Sequence, residues 1–380
     1  MTIKKERLLL TIILITVSLF FLLERGFLPG GTSKISPYKS FELLGNVIGL
    51  VKRDYLKEAD PERTMKGALK GMVDSLDILS SYLDKENVAK YSQQKKAPLK
   101  DTGIIISKRY GSFTMVIGVK ENSPAEKKGI KIGDTISTLD NKSTLIMSLV
   151  EANLYLKNED KKNLELKIFR GSKSLNVSLE RKLLFEKSYS FSDVESTSGI
   201  LKIHHLYSPC VKMLKKEIVP TIKSSKKTLI LDMRNCHEGD IDEALKLINL
   251  FLEADRIGYF EKNDGAKEVL SSPEEAVLEK LPLVIWVNQA TLGPAEIVVA
   301  VLQEMRQTKI IGVSTLGLTA KQKLFSLEDG SALLLTTGIF HLKSGKKLWE
   351  KGVEPEVKID VADQSYKTYL NKTFDILNNT

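Results

Sequence analysis

The spacing of apolar residues divides the chain into three stretches. From residue 38 to about 96 they recur every three or four positions: Phe41, Leu44, Val47, Ile48 and Val51 form one stripe, and Met65, Leu69, Met72 and Leu76 another. Such stripes predict small packing helices. Between about 101 and 182 the period shortens, and strands are expected over 103–107, 115–120, 164–169 and 175–179. They surround SPAEKKGIKIGD (123–134), where Pro124 opens a short helix, Gly129 follows its end and Gly133-Asp134 makes a turn. From about 197 strands alternate with amphipathic helices, which predicts an α/β layer. The expected strands are 199–204, 228–233, 283–287, 309–312 and 331–336. Helices are expected over 209–224, 242–253 and 294–307, the second with Leu245, Ile248 and Leu252 on its apolar face and Asn249 interrupting the flank. Residues 341–357 close the layer, and neither internal repeats nor low-complexity tracts occur.

The amino terminus bears on location. Lys4, Lys5 and Arg7 precede sixteen uncharged residues, 8–23, and Glu24-Arg25 end the run. Residues 1–25 read as a cleaved signal peptide or an uncleaved signal anchor. As a helix the run rises about 24 Å, short of a ~30 Å hydrocarbon core. No A-x-A cleavage site follows, only Gly26, Gly30, Gly31 and Ser33, which favours the anchor. Basic residues inside place the remaining chain outside. The expected location is the bacterial cell envelope, anchored in the inner membrane, with the domains facing the periplasm or exterior. Residues 26–38 form a Gly/Pro/Ser linker.

Composition narrows the function classes. With 380 residues and 42% hydrophobic content the chain is ordinary globular protein of two or three domains. Its net charge of +9 is spread over lysines along the whole length, which reads as a solvated surface. No basic stripe is interleaved with aromatics, so nucleic acid is not an expected partner. Cys210 and Cys236 leave a single bridge open. His204, His205 and His237 lack metal-ligand spacing, and the paired histidines read as ordinary surface residues. Neither a metal nor a cofactor is expected.

Several separated segments agree with one family. These are LDILSSYLDKEN (76–87), SPAEKKGIKIGD, LILDMRN, NQATLGPAEI (288–297), GVSTLGLTAKQ, LEDGSALLLTTG and KGVEPEV. Together they resemble the carboxyl-terminal processing (tail-specific) peptidases, Ser/Lys-dyad serine peptidases with a PDZ domain, over roughly residues 40–360. The first resembles that family's L-D-P-H-S-S-Y. The implied fold class is a multidomain α+β and α/β chain. It would comprise an N-terminal membrane helix (1–25), linker and helices (26–100), a PDZ domain (101–182) and an α/β tail-specific-protease-like domain (183–380).

The resemblance also implies a site, and the chain departs from it. In the family a serine is activated by an unprotonated lysine oriented by a glutamine, and backbone N–H groups form an oxyanion hole. The middle serine of S-A-S-A-S-E-I falls on Gly293, the lysine on Leu318 and the glutamine on Gln322. The oxyanion donor after the nucleophile falls on Pro294, which has no N–H. The glycine turn that gives the other reads Asn235-Cys236-His237-Glu238-Gly239, with Glu238 replacing the first glycine. A carboxylate near a developing oxyanion would repel it by ~1–4 kcal/mol at ~4 Å. Loss of a nucleophile alone can cost roughly a millionfold in turnover. Among neighbours, Thr291 is rotated about 200° away on a helical start. Lys321 falls on the face opposite Gln322 if that segment is extended. Cys236-His237 are adjacent in a turn and do not face one another. Gly293 as N-cap, Pro294 at N1 and Glu296 in the first turn also make a sound helix start with no catalysis required.

The PDZ resemblance implies peptide binding. Its carboxylate loop would be Thr102, Gly103, Ile104, Ile105 and Ile106, with Ile105 where the family usually has a second glycine. An extended C-terminus would add as a strand there. The expected function is therefore a catalytically inactive homologue that binds polypeptide C-termini, unfolded envelope proteins or an active paralogous peptidase, and oligomers fit the same scheme. The alternative is an active C-terminal processing endopeptidase of envelope proteins with a non-standard nucleophile.

Overall fold

The computed structural model describes residues 37–94, 100–109, 111–157, 162–184, 187–195 and 197–378. The segment predicted as a signal peptide or anchor lies outside them. Among the described residues no helix is long and apolar enough to cross a membrane. The chain divides into a unit ending at Met65 and a compact unit over Lys66–Thr380.

The helix Pro37–Asp54 forms as its period predicts, but Leu44, Val47 and Ile48 remain 39–47% exposed. In Pro61–Asp74 the apolar stripe is again not the buried face: Met72 is exposed, as is Leu76 beyond the helix, whereas Val73 and Asp74 are buried. The reason is polar. Lys70 reaches both Asp74, at 2.9 Å, and Glu151, and Asp74 accepts the N–H of Tyr82. Within LDILSSYLDKEN (76–87), after this helix, lies a strand, Ser81–Leu83, antiparallel to Ala332–Leu334.

Residues 101–182 build a sheet in the order Ile104–Ser107, Thr114–Val119, Thr135–Leu139, Asn163–Arg170, Lys173–Glu180. Four of these strands follow the predicted runs. Thr135–Leu139, with Ser137 and Thr138 interrupting its apolar pattern, is not among them. Neither is the helix Leu149–Leu156 among the predicted elements; it starts with a Ser148–Glu151 capping box. Ser123 caps the short helix Pro124–Lys127. Ile104–Ser107 is an edge strand.

The larger layer is a six-stranded sheet in the order Val357–Lys358, Lys309–Gly312, Leu283–Val287, Thr228–Asp232, Ser198–Ile203, Tyr189–Glu195. All neighbours are parallel except the last pair. Leu231, Ile285 and Val287 pack with the helices Cys210–Glu217, Ile241–Ile248 and Pro294–Arg306, while Ile230, Val284 and Trp286 face a cluster containing Tyr369 of the helix Tyr366–Asn378. Burial on both faces explains the unbroken apolar runs of these strands. A second sheet of five strands is built around Ala332–Leu342, longer than the predicted 331–336.

Two predicted helices are shorter than expected. Residues 209–224 split into Cys210–Glu217 and Val219–Ser225, because Pro220 has no N–H for the carbonyl four residues earlier. The helix expected to reach residue 253 stops at Ile248, where buried Asn249 turns to Glu274 and accepts its N–H at 3.1 Å. Cys210 and Cys236 are both free and buried.

Candidate active site

Thr228–Asp232 and Leu283–Val287 pair in register from Leu229–Leu283 to Asp232–Trp286. The loops leaving their carboxyl ends therefore emerge side by side, where α/β sheets place ligands. Side-chain bonds tie the two loops together. Asn288 Oδ1 accepts the Asn235 N–H at 3.0 Å, and Asn288 Nδ2 donates to Asn235 Oδ1 at 2.9 Å. Leu292 N–H donates to the Cys236 carbonyl at 3.0 Å. Thr291 Oγ1 donates to the Met233 carbonyl at 2.9 Å and accepts the Asn288 N–H at 3.1 Å. Thr291 is a buried tie between loops.

The second loop ends in an elbow. Gly293 has φ 58° and ψ −119°, a conformation side chains of L-residues seldom adopt, and caps the helix Pro294–Arg306. A Cβ at Gly293 would meet only the Leu318 carbonyl, at 3.7 Å. Space for a side chain is therefore present, and a residue other than glycine would carry backbone strain of ~1–3 kcal/mol. Glu296, wholly buried, holds the elbow in place. Its carboxylate accepts from Gly293 N at 2.9 Å, Gly317 N at 2.6 Å, Leu318 N at 2.8 Å and Thr315 Oγ1 at 2.5 Å. Burial raises its pKa, and those four donors act in the opposite direction. In sequence Glu296 is only a first-turn acid; its bonds to 315–318 leave no local signal.

Leu318 is thus placed beside the elbow, among aliphatics. It is 8% exposed and packs in a cluster with Ile105, Ile117, Ala290 and Leu292. Ile105 and Ile117 come from the PDZ sheet, so that sheet lies directly on the elbow loop. Gln289 Nε2 donates to the Ile117 carbonyl at 2.7 Å, and Asn235 Nδ2 to the Val119 carbonyl at 3.1 Å. Between them Gly118 allows the approach: a Cβ there would lie 2.6 Å from Ala290 Cβ and 2.8 Å from Asn235 Oδ1.

Gln322 and Lys321 point apart as their spacing predicts, although the pairing register shifts between them. Gln322 Nε2 donates to the Leu79 carbonyl at 2.7 Å, and Lys321 Nζ pairs with Glu268 at 2.6 Å. Pro294 is half-buried at the helix start. Glu238 pairs with Lys157, and its Oε1 lies 3.0 Å from His237 Nε2, so a cation from the PDZ side offsets the negative charge expected at this turn. Burial lowers the Lys157 pKa to about 8. Gly239 is required where it stands, since a Cβ would come within 2.4 Å of Leu206 Cβ.

The remaining candidates are buried. Burial raises the Cys236 thiol well above its ordinary pKa and lowers His237 far below its own. His237 Nδ1 contacts the Asn235 carbonyl at 3.1 Å. His204 and His205 are not the surface residues expected from sequence. Both are half-buried, and burial, reinforced for His204 by Lys202 and for His205 by Lys120, pushes their pKa values down to about 3 and about 4. Among the described residues no group of three or more His, Cys, Asp or Glu is placed to hold a metal.

The loop Thr102 to Ile106 is contiguous with the site through Ile105. In this arrangement Thr102, Ile104, Ile105 and Ile106 are all buried. Gly103 N–H donates to Asp101 Oδ1 at 2.9 Å, and Asp101 Oδ2 is paired with Lys120 Nζ at 2.6 Å. The chain thus supplies its own carboxylate to this loop.

Comparison with known proteins agrees with this architecture. Residues 197–359 match peptidase family S41, and residues 98–180 match the PDZ domain. The chain is 28% identical over 366 residues to the carboxy-terminal processing protease CtpA of Bacillus subtilis, covering 96% of this chain and 78% of that protein. It is 27% identical over 336 residues to a probable CtpA-like serine protease of Staphylococcus aureus, covering 87% and 67%. In structure it resembles the photosystem II D1 C-terminal processing protease, with a TM-score of 0.71 at 20% identity over 84% of this chain and 86% of that one, a likeness of fold. The chain thus joins a PDZ domain to a peptidase family S41 domain and is homologous to carboxy-terminal processing proteases.

Proposed function

We propose that this protein is a non-catalytic, membrane-anchored member of that family, which binds polypeptide C-termini at the cell envelope or serves an active relative. The observation that carries the reading is Leu318. Where the family register calls for an amine, the chain has a side chain closed into an aliphatic cluster with Ile105 and Ile117 of the PDZ sheet. Gly293 beside it offers no attacking atom, and Pro294 offers no oxyanion N–H. The alternative nucleophiles lend no support to an active enzyme. Thr291 Oγ1 is bonded on both sides, and Cys236 is a buried thiol whose pKa is raised. The binding half of the proposal rests on Ile104–Ser107, an edge strand onto which an extended chain end can add. The membrane half rests on the uncharged run 8–23.

Fluorescence anisotropy with the full chain tests the binding half. A labelled peptide with a free C-terminal carboxylate is expected to bind at least about tenfold more tightly than its amidated form, ~1.4 kcal/mol. Equal binding of the two, or none of either, overturns it.

A further inference from the structure

We infer that residues Asp77 to Ser81 are a built-in competitor for the chain ends this protein binds, and that aliphatic C-termini are the ligands it excludes. The inference rests on the proposed tail-binding function and concerns regulation of the same site. Ile78 and Leu79 each pack against two clusters: the PDZ core, which includes Ile104, Ile106, Leu149 and Ala152, and the cluster around Leu318. They are the apolar bridge between the edge-strand side of the PDZ sheet and the elbow. They also stand where the family segment has its Pro-His pair, so an aliphatic pair replaces a polar ring here.

Polar bonds hold this segment from three directions. Within it, Asp77 Oδ1 accepts the N–H groups of Leu79 at 2.8 Å and Ser80 at 2.7 Å. From the core, Gln322 Nε2 donates to the Leu79 carbonyl at 2.7 Å, and Thr336 Oγ1 donates to Asp77 Oδ1 at 3.1 Å. From the PDZ side, Ser81 Oγ bonds to Ser148 Oγ, the cap of the helix Leu149–Leu156, at 2.7 Å. Gln322, which the family uses to orient a base, here holds the strap instead. Together the aliphatic pair and the Asp101 carboxylate on Gly103 N–H supply the two chemistries a bound aliphatic C-terminus would bring. A ligand must displace both, which weakens its apparent affinity by the fraction of molecules in which the strap is released.

The test is anisotropy with the full chain and a labelled peptide ending in Ile-Leu with a free carboxylate, compared with its amidated form and a peptide ending in Asp-Asp. Ile78→Ser/Leu79→Ser is expected to bind the Ile-Leu acid at least about tenfold more tightly than the unaltered chain, with little gain for the other two. Gln322→Ala, which removes one bond and leaves the cluster intact, should show a smaller gain of about threefold and guards against misfolding of the double variant. If both variants match the unaltered chain while that chain still prefers the free acid, the competitor is overturned and tail binding stands. Failure of every form to bind the free acid overturns tail binding and the competitor with it.

Discussion

Glu296 and Leu318 are joined by a hydrogen bond, yet they belong to two different kinds of surroundings. On the Glu296 side, four donors converge on one buried carboxylate and fix an elbow whose glycine sits at φ 58°. On the Leu318 side, aliphatic groups meet, two of them from the PDZ sheet. The first region keeps the geometry that would aim a side chain at position 293. The second is lined by aliphatic side chains. The elbow region also supports the PDZ sheet, which packs on the two loops through Gly118, Gln289 and Asn235.

The largest effect should come from the polar region. Glu296→Ala leaves Gly293 N, Gly317 N, Leu318 N and the Thr315 hydroxyl without their acceptor, which is expected to cost about 4 kcal/mol. Calorimetry should show the melting temperature lower by about 10 °C. A change below about 2 °C would mean that the network does not hold the elbow. Next comes the aliphatic region. Leu318→Lys should destabilise by about 3 kcal/mol because an ammonium enters an apolar cluster. Leu318→Met should cost less than about 1.5 kcal/mol by the same measurement. Equal costs would show that Leu318 is not in a closed apolar seam.

The smallest effect concerns pH. His204 and His205 titrate at about 3 and about 4 in the folded chain, below the ordinary 6.5. Above pH 6.5 they are neutral in both states. As the pH falls below that, the unfolded chain takes up protons first, so stability is lost between about 6.5 and 3 and then levels off. Each unit of pKa difference is about 1.4 kcal/mol, and partial exposure of both rings reduces this to an expected total of about 2 kcal/mol, or ~5 °C in melting temperature. His204→Gln together with His205→Gln should flatten the curve; an unchanged slope would remove the histidines from the account.

Much of this was legible in sequence where the signal is local. The strand Leu283–Val287, the start of the helix Pro294–Arg306 and the strand Lys309–Gly312 fall where period and punctuation place them. The opposite directions of Lys321 and Gln322 followed from strand alternation. What was not legible depends on partners far along the chain. Ser81–Leu83 is too short to show a period and is a strand because Ala332–Leu334 pairs with it. His204 and His205 look like surface residues until Lys120, Lys157 and Lys202 gather around them. The docking of the PDZ sheet needs a glycine at 118, and nothing near 118 reveals Ala290 or Asn235.

The central claim is tested most directly by a cleavage assay. The full chain is incubated with an unfolded polypeptide bearing a free C-terminus, and the products are followed by mass spectrometry. The account predicts an intact polypeptide, with no difference between the unaltered chain and Thr291→Ala or Cys236→Ala. Cleavage by the unaltered chain that either substitution abolishes would contradict it.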